Sequence, residues 1–309
     1  MTAIAERPDA APRTVLREET VHTEAPPVLP PARGWGRGVG LVLVTVALLT
    51  GWALLYLTVF SGLSEARAQK QLYARLRTEL AQGIAPVAPT TAGAPVALLD
   101  VPAAGINDLV VVEGSSAAEL QQGPGHLRSS AFPGQTGISV VQGRSLSYGG
   151  VFAHIDELRP GDPITVTTGQ GTFRYVVTAL PRHSGVLEVP DTTRSMLTLV
   201  TSAGSGFLGS VRSGSALYVD AVLTGTPQLP TVAPPAATAS ELPMHGDYTF
   251  RTLASLVLAL QLFGLVLWVI TWARKRWSPV IAHVLGLPAL LTSLWLASDF
   301  AARLLPNLM

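Results

Sequence analysis

Residues 123–162 read GPGHLRSSAFPGQTGISVVQGRSLSYGGVFAHIDELRPGD, and the fold turns on this stretch. The apolar run at 138–141 (ISVV) is too short for a buried helix and is bounded by glycines, so it reads as a core strand. Gly149-Gly150 and Pro160-Gly161 are turn dipeptides on either side of an amphipathic helical turn that begins at Phe152. Outward from here, residues 96–223 keep one pattern, short apolar runs separated by Gly/Pro turns. Residues 109–112, 140–141, 164–168, 173–179, 196–201 and 217–223 read as strands, with Gly169-Gln170-Gly171 as a hairpin loop. Repeated short strands of this kind predict a mostly β domain, a closed barrel or a sandwich. Residues 96–225 are long enough to enclose one core.

The flanks belong to another solvent. Of the 309 residues, 48% are hydrophobic and 13% charged, against about 25% charged in ordinary globular chains. Residues 1–36 are rich in Pro, Ala, Glu and Arg without apolar period and read as a disordered tail. Residues 37–61 contain a long uncharged run and read as a transmembrane helix. A cleaved signal peptide is the rival, suggested by Ala66-Arg67-Ala68, but its apolar region is about 7–15 residues and this run is longer. Residues 62–95 read as a juxtamembrane helix with a leucine stripe at Leu72, Leu76 and Leu80, taken as a stalk, followed by a Pro/Ala linker. After the β domain come a Pro-rich linker (226–250), a second span (251–273), a basic turn (274–278), a third span (279–298) and a short tail (299–309). Arg274-Lys275-Arg276 place that turn in the cytoplasm by the positive-inside rule. The β domain is then extracellular and the N-terminus cytoplasmic. His283 reads as an interfacial or packing residue. Ala254, Ser255, Ala259 and Gly264 are small enough to pack a partner helix.

Composition also excludes chemistry. The net charge of +1 gives no electrostatic footprint for nucleic acid. With no cysteine, disulfides, thiolate catalysis and Cys-ligated metal are excluded. No cofactor and no metal is expected.

A series of short motifs carries a family resemblance. Leu99-Asp100-Val101-Pro102 is similar to L-x-I-P, and Val111-Val112-Glu113-Gly114 to V-x-x-G. Leu120 with Gly123-Pro124-Gly125-His126 is similar to L-x-x-G-P-G-H, and Pro133-Gly134-Gln135-Thr136-Gly137 to P-G-x-x-G. Tyr148-Gly149 with Phe152, then Leu158 to Asp162, is similar to Y-G-x-x-F and L-x-x-G-D. Leu197-Thr198-Leu199-Val200-Thr201-Ser202 is similar to L-T-L-x-T-C. In this order, over about residues 98–223, they resemble the sortases, cysteine transpeptidases that attach proteins to Gram-positive cell walls, in a form like their classes E and D. The resemblance implies a closed barrel of about eight strands with short helices, here joined to three transmembrane α-helices.

It also implies a site, and there the chain departs from the pattern. Sortases attack a sorting signal such as LPxTG with the Cys that ends L-T-L-x-T-C; this chain has Ser202. The His of G-N-x-V-I-A-G-H-R corresponds to Arg144, and the Arg of the last strand to Ala216. A serine needs an adjacent base and an oxyanion hole, and Arg144 stays protonated, so it accepts no proton. His126, His154 and His183 are the other bases in the domain, with Glu188 and Asp191 as groups that could orient one. The expectation is a membrane-anchored pseudoenzyme of the cell surface, with no confident catalytic residue. Arg144, Ser202, Arg212, His126 and His183 are its peptide-binding candidates. The partners expected are the membrane, sorting-signal peptides, an active sortase or other envelope proteins. The alternatives are a Ser202-dependent transpeptidase or hydrolase, and a membrane-bundle subunit of a larger envelope complex.

Overall fold

The run at 138–141 becomes the middle of a strand, and seven others close around it. A computed structural model describes residues 33–183, 193–203, 215–236, 238–276 and 279–309. The strands are β1 (Pro95–Val101), β2 (Ile106–Glu113), β3 (Gly125–His126), β4 (Gly137–Gln142), β5 (Pro163–Thr168), β6 (Gly171–Val177), β7 (Ser195–Ser202) and β8 (Ala216–Leu223). They form a closed barrel in the order β1-β2-β3-β4-β7-β8-β6-β5. The expected strands are all present. β1 lies where only a short motif had been noted, and β3 is too short to show a period. Gly169-Gln170 makes the β5–β6 hairpin, with Thr168 opposite Gly171.

Alternation sorts the side chains into two faces. Leu99, Val111, Val141, Ile164, Val166, Phe173, Leu197, Leu199, Leu217 and Val219 pack into one interior cluster. Each buried aliphatic side chain there is worth about 1.5–3 kcal/mol. Tyr175 is inside too, and its hydroxyl is satisfied by the Gly134 N–H at 2.8 Å and the Ser195 hydroxyl at 3.0 Å. The alternate residues Val140, Val200 and Ala216 belong to a separate cluster on the outer face.

Helix α1 (Arg33–Leu55) runs through a π turn (Tyr56–Phe60) into α2 (Ser61–Ala81). The chain is already helical at Arg33, inside the segment expected to be a tail; residues 1–32 lie outside the described residues. α2 is not a free-standing stalk. Leu72 and Leu76 are buried against Ala85, Val110 and Val112. The Gln69 side chain donates to the carbonyls of Val110 (3.0 Å) and Gln122 (2.8 Å) and accepts from the Val110 N–H (2.9 Å). It thus covers a stretch of β2 backbone that β3, which starts opposite Val112, leaves unpaired.

Two further helices, α3 (Phe250–Arg276) and α4 (Pro279–Ala302), form a hairpin. The Asp247 N–H donates to the Arg303 carbonyl at 2.9 Å, so the start of α3 and the end of α4 are adjacent. Ala259 is buried, whereas Gly264 faces open space. The His283 side chain lies outside those described. Among the described residues, three helices are long and apolar enough to cross a membrane. α4 continues past the expected boundary at residue 298, because Asp299 is held by partners rather than left in lipid: Tyr148, Tyr56 and Arg303 all donate to it.

Candidate functional site

Topology brings Arg144, Ser202 and Ala216 toward one rim. β4 and β7 are parallel, with Gln142 opposite Val200, so both end on the same side. β8 runs antiparallel to β7, and its first residue, Ala216, is opposite Ser202. Beyond β4 the chain turns at Gly143, whose N–H donates to the Val200 carbonyl at 2.9 Å and whose carbonyl accepts from Thr201 Oγ1 at 2.9 Å. A Cβ at Gly143 would run into the Phe152 ring, so only glycine fits there.

Ser202 is buried at this rim, and its hydroxyl is in hydrogen-bond contact with that of Ser145. Both line a cleft of 560 Å³ with Thr201, Leu217, Pro181, Ala153, His154, Asp156, Glu157 and His183. Two of the three candidate histidines therefore open on the same cleft as Ser202. Both are exposed, and His154 Nδ1 faces Glu157 Oε1 at 3.0 Å. Among the described residues, no hydrogen bond joins either histidine to Ser202. His126 is elsewhere and fully buried, with Nδ1 3.1 Å from Glu113 and Nε2 2.9 Å from the Ala131 carbonyl. It does not reach Ser202. Arg212, Glu188 and Asp191 lie outside the described residues.

Arg144 occupies the rim in a way the sequence did not foretell. Its side chain is wholly buried instead of facing an open groove. Nη1 donates to Ser147 Oγ (3.0 Å) and the Met309 carbonyl (3.2 Å), and Nη2 to the Ala117 carbonyl (3.3 Å). The guanidinium lies over the Tyr148 ring, 4.9 Å from its centre. Burial lowers its pKa to about 10, opposed by the nearby Tyr148 and Asp299. It remains a cation at neutral pH, so it supplies charge and donors but no base.

Tyr148 is the other half of this node. It is a non-glycine residue in the left-handed region (φ 51°), a conformation that persists only where surroundings hold it. They do: its N–H donates to Ser61 Oγ at 2.9 Å, its hydroxyl to Asp299 at 3.1 Å, and Gln121 donates to that hydroxyl at 2.8 Å. Burial pushes its pKa up to about 12, with Asp299 adding to the effect. The node joins α2, the segment after β4 and α4. Its members Gln121, Tyr148 and Asp299 were missed by reading the sequence for catalytic types. The one available signal was an aspartate at the end of an apolar span.

The described site thus holds a buried serine without a bonded base, a buried cation turned toward carbonyls, and a methyl group at the third position. Among the described residues, no group of His, Asp and Glu is placed to hold a metal ion. Comparison with known proteins agrees with the motif reading. A family model described as "Sortase domain" matches residues 99–204. Sortase D of Bacillus subtilis (strain 168) is 33% identical over 101 residues, covering 32% of this chain and 48% of that protein. The chain spans about half the length of the curated relative it matches. Among solved structures, the Clostridium perfringens Sortase D5 transpeptidase is similar with 23% identity and a TM-score of 0.44, over 52% of this chain and 99% of that one. Sortase E from Streptomyces avermitilis is similar with 29% identity and a TM-score of 0.37, over 44% and 92%. The chain carries a sortase-family domain.

Proposed function

We propose that this chain uses its sortase-family domain to bind extended peptides without rejoining them, as a membrane-anchored scaffold or regulator of cell-surface protein anchoring. Sorting-signal peptides, an active sortase or other envelope proteins are its proposed partners. The observation that carries this reading is the bonding of Ser202: among the described residues its hydroxyl meets that of Ser145 and no base. A serine so placed lacks the activation that acyl transfer needs. Arg144 compounds the loss, since its Nη1 and Nη2 donate to Ser147 and two backbone carbonyls.

The orientation is part of the proposal. Arg274-Lys275-Arg276 face the cytoplasm and the barrel lies outside. The adjacent ends of α3 and α4 support it, because a hairpin returns the chain to the side it left. The third arrangement considered, a membrane-bundle subunit, would use the same hairpin toward other helices.

One observation favours a second reading. His154, backed by Glu157, opens on the cleft that holds Ser202, which is the residue set of a serine hydrolase awaiting a shorter distance. The test is turnover of an LPxTG-type peptide by the full chain in detergent. The binding reading expects none, and expects none to be lost on Ser202→Ala. Turnover that Ser202→Ala and His154→Ala both abolish would replace it with the hydrolase.

A further inference from the structure

After α4 the chain turns onto the outer face of the barrel. Leu308 is fully buried there among Leu120, Val140, Val200 and Ala216. Its carbonyl accepts from the Ser145 N–H at 3.0 Å and from the Ser145 hydroxyl at 3.3 Å. That same hydroxyl touches Ser202. The next carbonyl, of Met309, is taken by Arg144 at 3.2 Å and by the Ser147 hydroxyl. The preceding residue is anchored as well. The Asn307 N–H donates to the His245 carbonyl at 2.9 Å, and its side-chain amide donates to the Ser240 carbonyl at 2.8 Å. The Met309 N–H donates to the Pro306 carbonyl at 3.1 Å, so the segment is held as a turn, with one aliphatic anchor in a pocket and flanking backbone hydrogen bonds that set its register.

We propose that residues 305–309 are a latch, carried by α4, over the outer-face pocket beside Ser202, which any outside peptide using that pocket must displace. This rests on the peptide-binding reading above and says what covers the pocket next to Ser202. Arg144 and Ser145 are then positioning residues for a peptide backbone. The chemistry they select is a peptide turn that places a leucine-sized side chain beside Ala216 and presents its own and the following carbonyl to Ser145 and Arg144. The latch is tethered close by. Asp299, in the last turns of α4, is bonded to Tyr148, and Arg303 is bonded to Asp299 at 3.1 Å. A tethered segment competes at an effective concentration on the order of millimolar, so a free peptide with the same contacts is largely excluded until the hairpin shifts.

The absence of native cysteine allows a direct test. In the full chain, purified in detergent, the pair Ala216→Cys with Leu308→Cys is expected to close on mild oxidation. The probe is a fluorescent synthetic copy of residues 303–309, followed by anisotropy. Leu308→Lys, which expels the anchor, is expected to bind it about tenfold more tightly than the native chain, by removing the tethered competitor. The oxidised pair is expected to bind none, and reduction, which leaves Leu308→Cys without its leucine anchor, to restore binding to at least the native level. Leu308→Ala serves if the lysine variant does not fold. Equal binding by native, Leu308-substituted and oxidised chains would overturn the latch while leaving a peptide site elsewhere. No binding by any form, with the cysteine pair still closing, would instead sink the peptide-binding reading and the latch with it.

Discussion

The inside of the barrel and the rim around Arg144 are buried to similar degrees by opposite means. The interior is filled by residues whose only demand is removal from water: Leu99, Leu197, Leu199 and Val219 are fully buried and ask for no partner. At the rim Arg144 and Tyr148 are as deeply buried, and each must find donors or acceptors. The interior is supplied by neighbouring strands. The rim is supplied by Ala117, Ser147, Asp299 and Met309, from four separate parts of the chain. An apolar core is specified locally by pattern. A polar one is specified by distant residues meeting, and it loses more when one is removed.

The largest expected effect tests that contrast directly. Arg144→Leu leaves the carbonyls of Ala117 and Met309 and the face of Tyr148 without their cation. It is expected to lower unfolding free energy by about 3–5 kcal/mol, as removing one member of a buried charged network does. Arg144→Lys should not restore it, because a point charge cannot replace a planar fork of donors. The interior arm of the comparison is Leu199→Ala, expected to cost about 2–5 kcal/mol through the cavity it leaves. Denaturant unfolding of the full chain in detergent measures both. An Arg144→Leu variant within experimental error of the native chain would show that the rim is not a structural node.

A smaller change sharpens the same point. Tyr148→Phe keeps the ring beneath Arg144 and removes only the hydroxyl. Gln121 loses an acceptor, and Asp299 loses one of its donors. The expected loss is about 1–3 kcal/mol, the usual cost of unsatisfied buried polar groups. The equivalent change inside the barrel would be a single methyl group. A loss no greater than such a methyl deletion usually brings would place the support of α4 elsewhere than in this hydroxyl.

The same contrast decides what could be read from the sequence. The runs at 138–141, 164–168 and 196–201 declare their strands through apolar residues bounded by turns, and the barrel follows. β3 does not declare itself, because Gly125-His126 is too short to have a period. α2 showed its leucine stripe but not its docking, since nothing in Leu72 or Leu76 says that Val110 and Val112 will meet them. At the site, Ser202 and Ala216 were found by their place in motifs, and the register between β7 and β8 sets them opposite one another. Arg144 was found in the same way, but its direction was not. Its partners include Tyr148, four residues on, and Met309, beyond the α3–α4 hairpin; only folding brings these together. Leu308 in an apolar pocket could not be anticipated from a short tail that carries no pattern.

The smallest expected effect concerns a carboxylate where the polar style of burial is incomplete. Glu241 belongs to the linker laid on the outside of the barrel. Its carbonyl accepts from Gln142 Nε2 at 3.0 Å and from Ser115 Oγ at 3.2 Å. Its side chain is buried, and among the described residues Oε2 has no hydrogen-bond partner. Burial raises its pKa above the ordinary 4.5; Arg128 opposes this, while Glu119 and Glu113 add to it. The folded protein therefore holds this proton more tightly than the unfolded chain does. Its contribution to stability is fully present below the unfolded value and is lost as pH rises through the folded one. Glu241→Gln keeps the shape and removes the titration. The variant should match the native chain in acid and exceed it at neutral pH by about 1 kcal/mol or less. Unfolding midpoints of the two proteins across that range decide it. Parallel pH profiles would mean that Arg128 already neutralises Glu241.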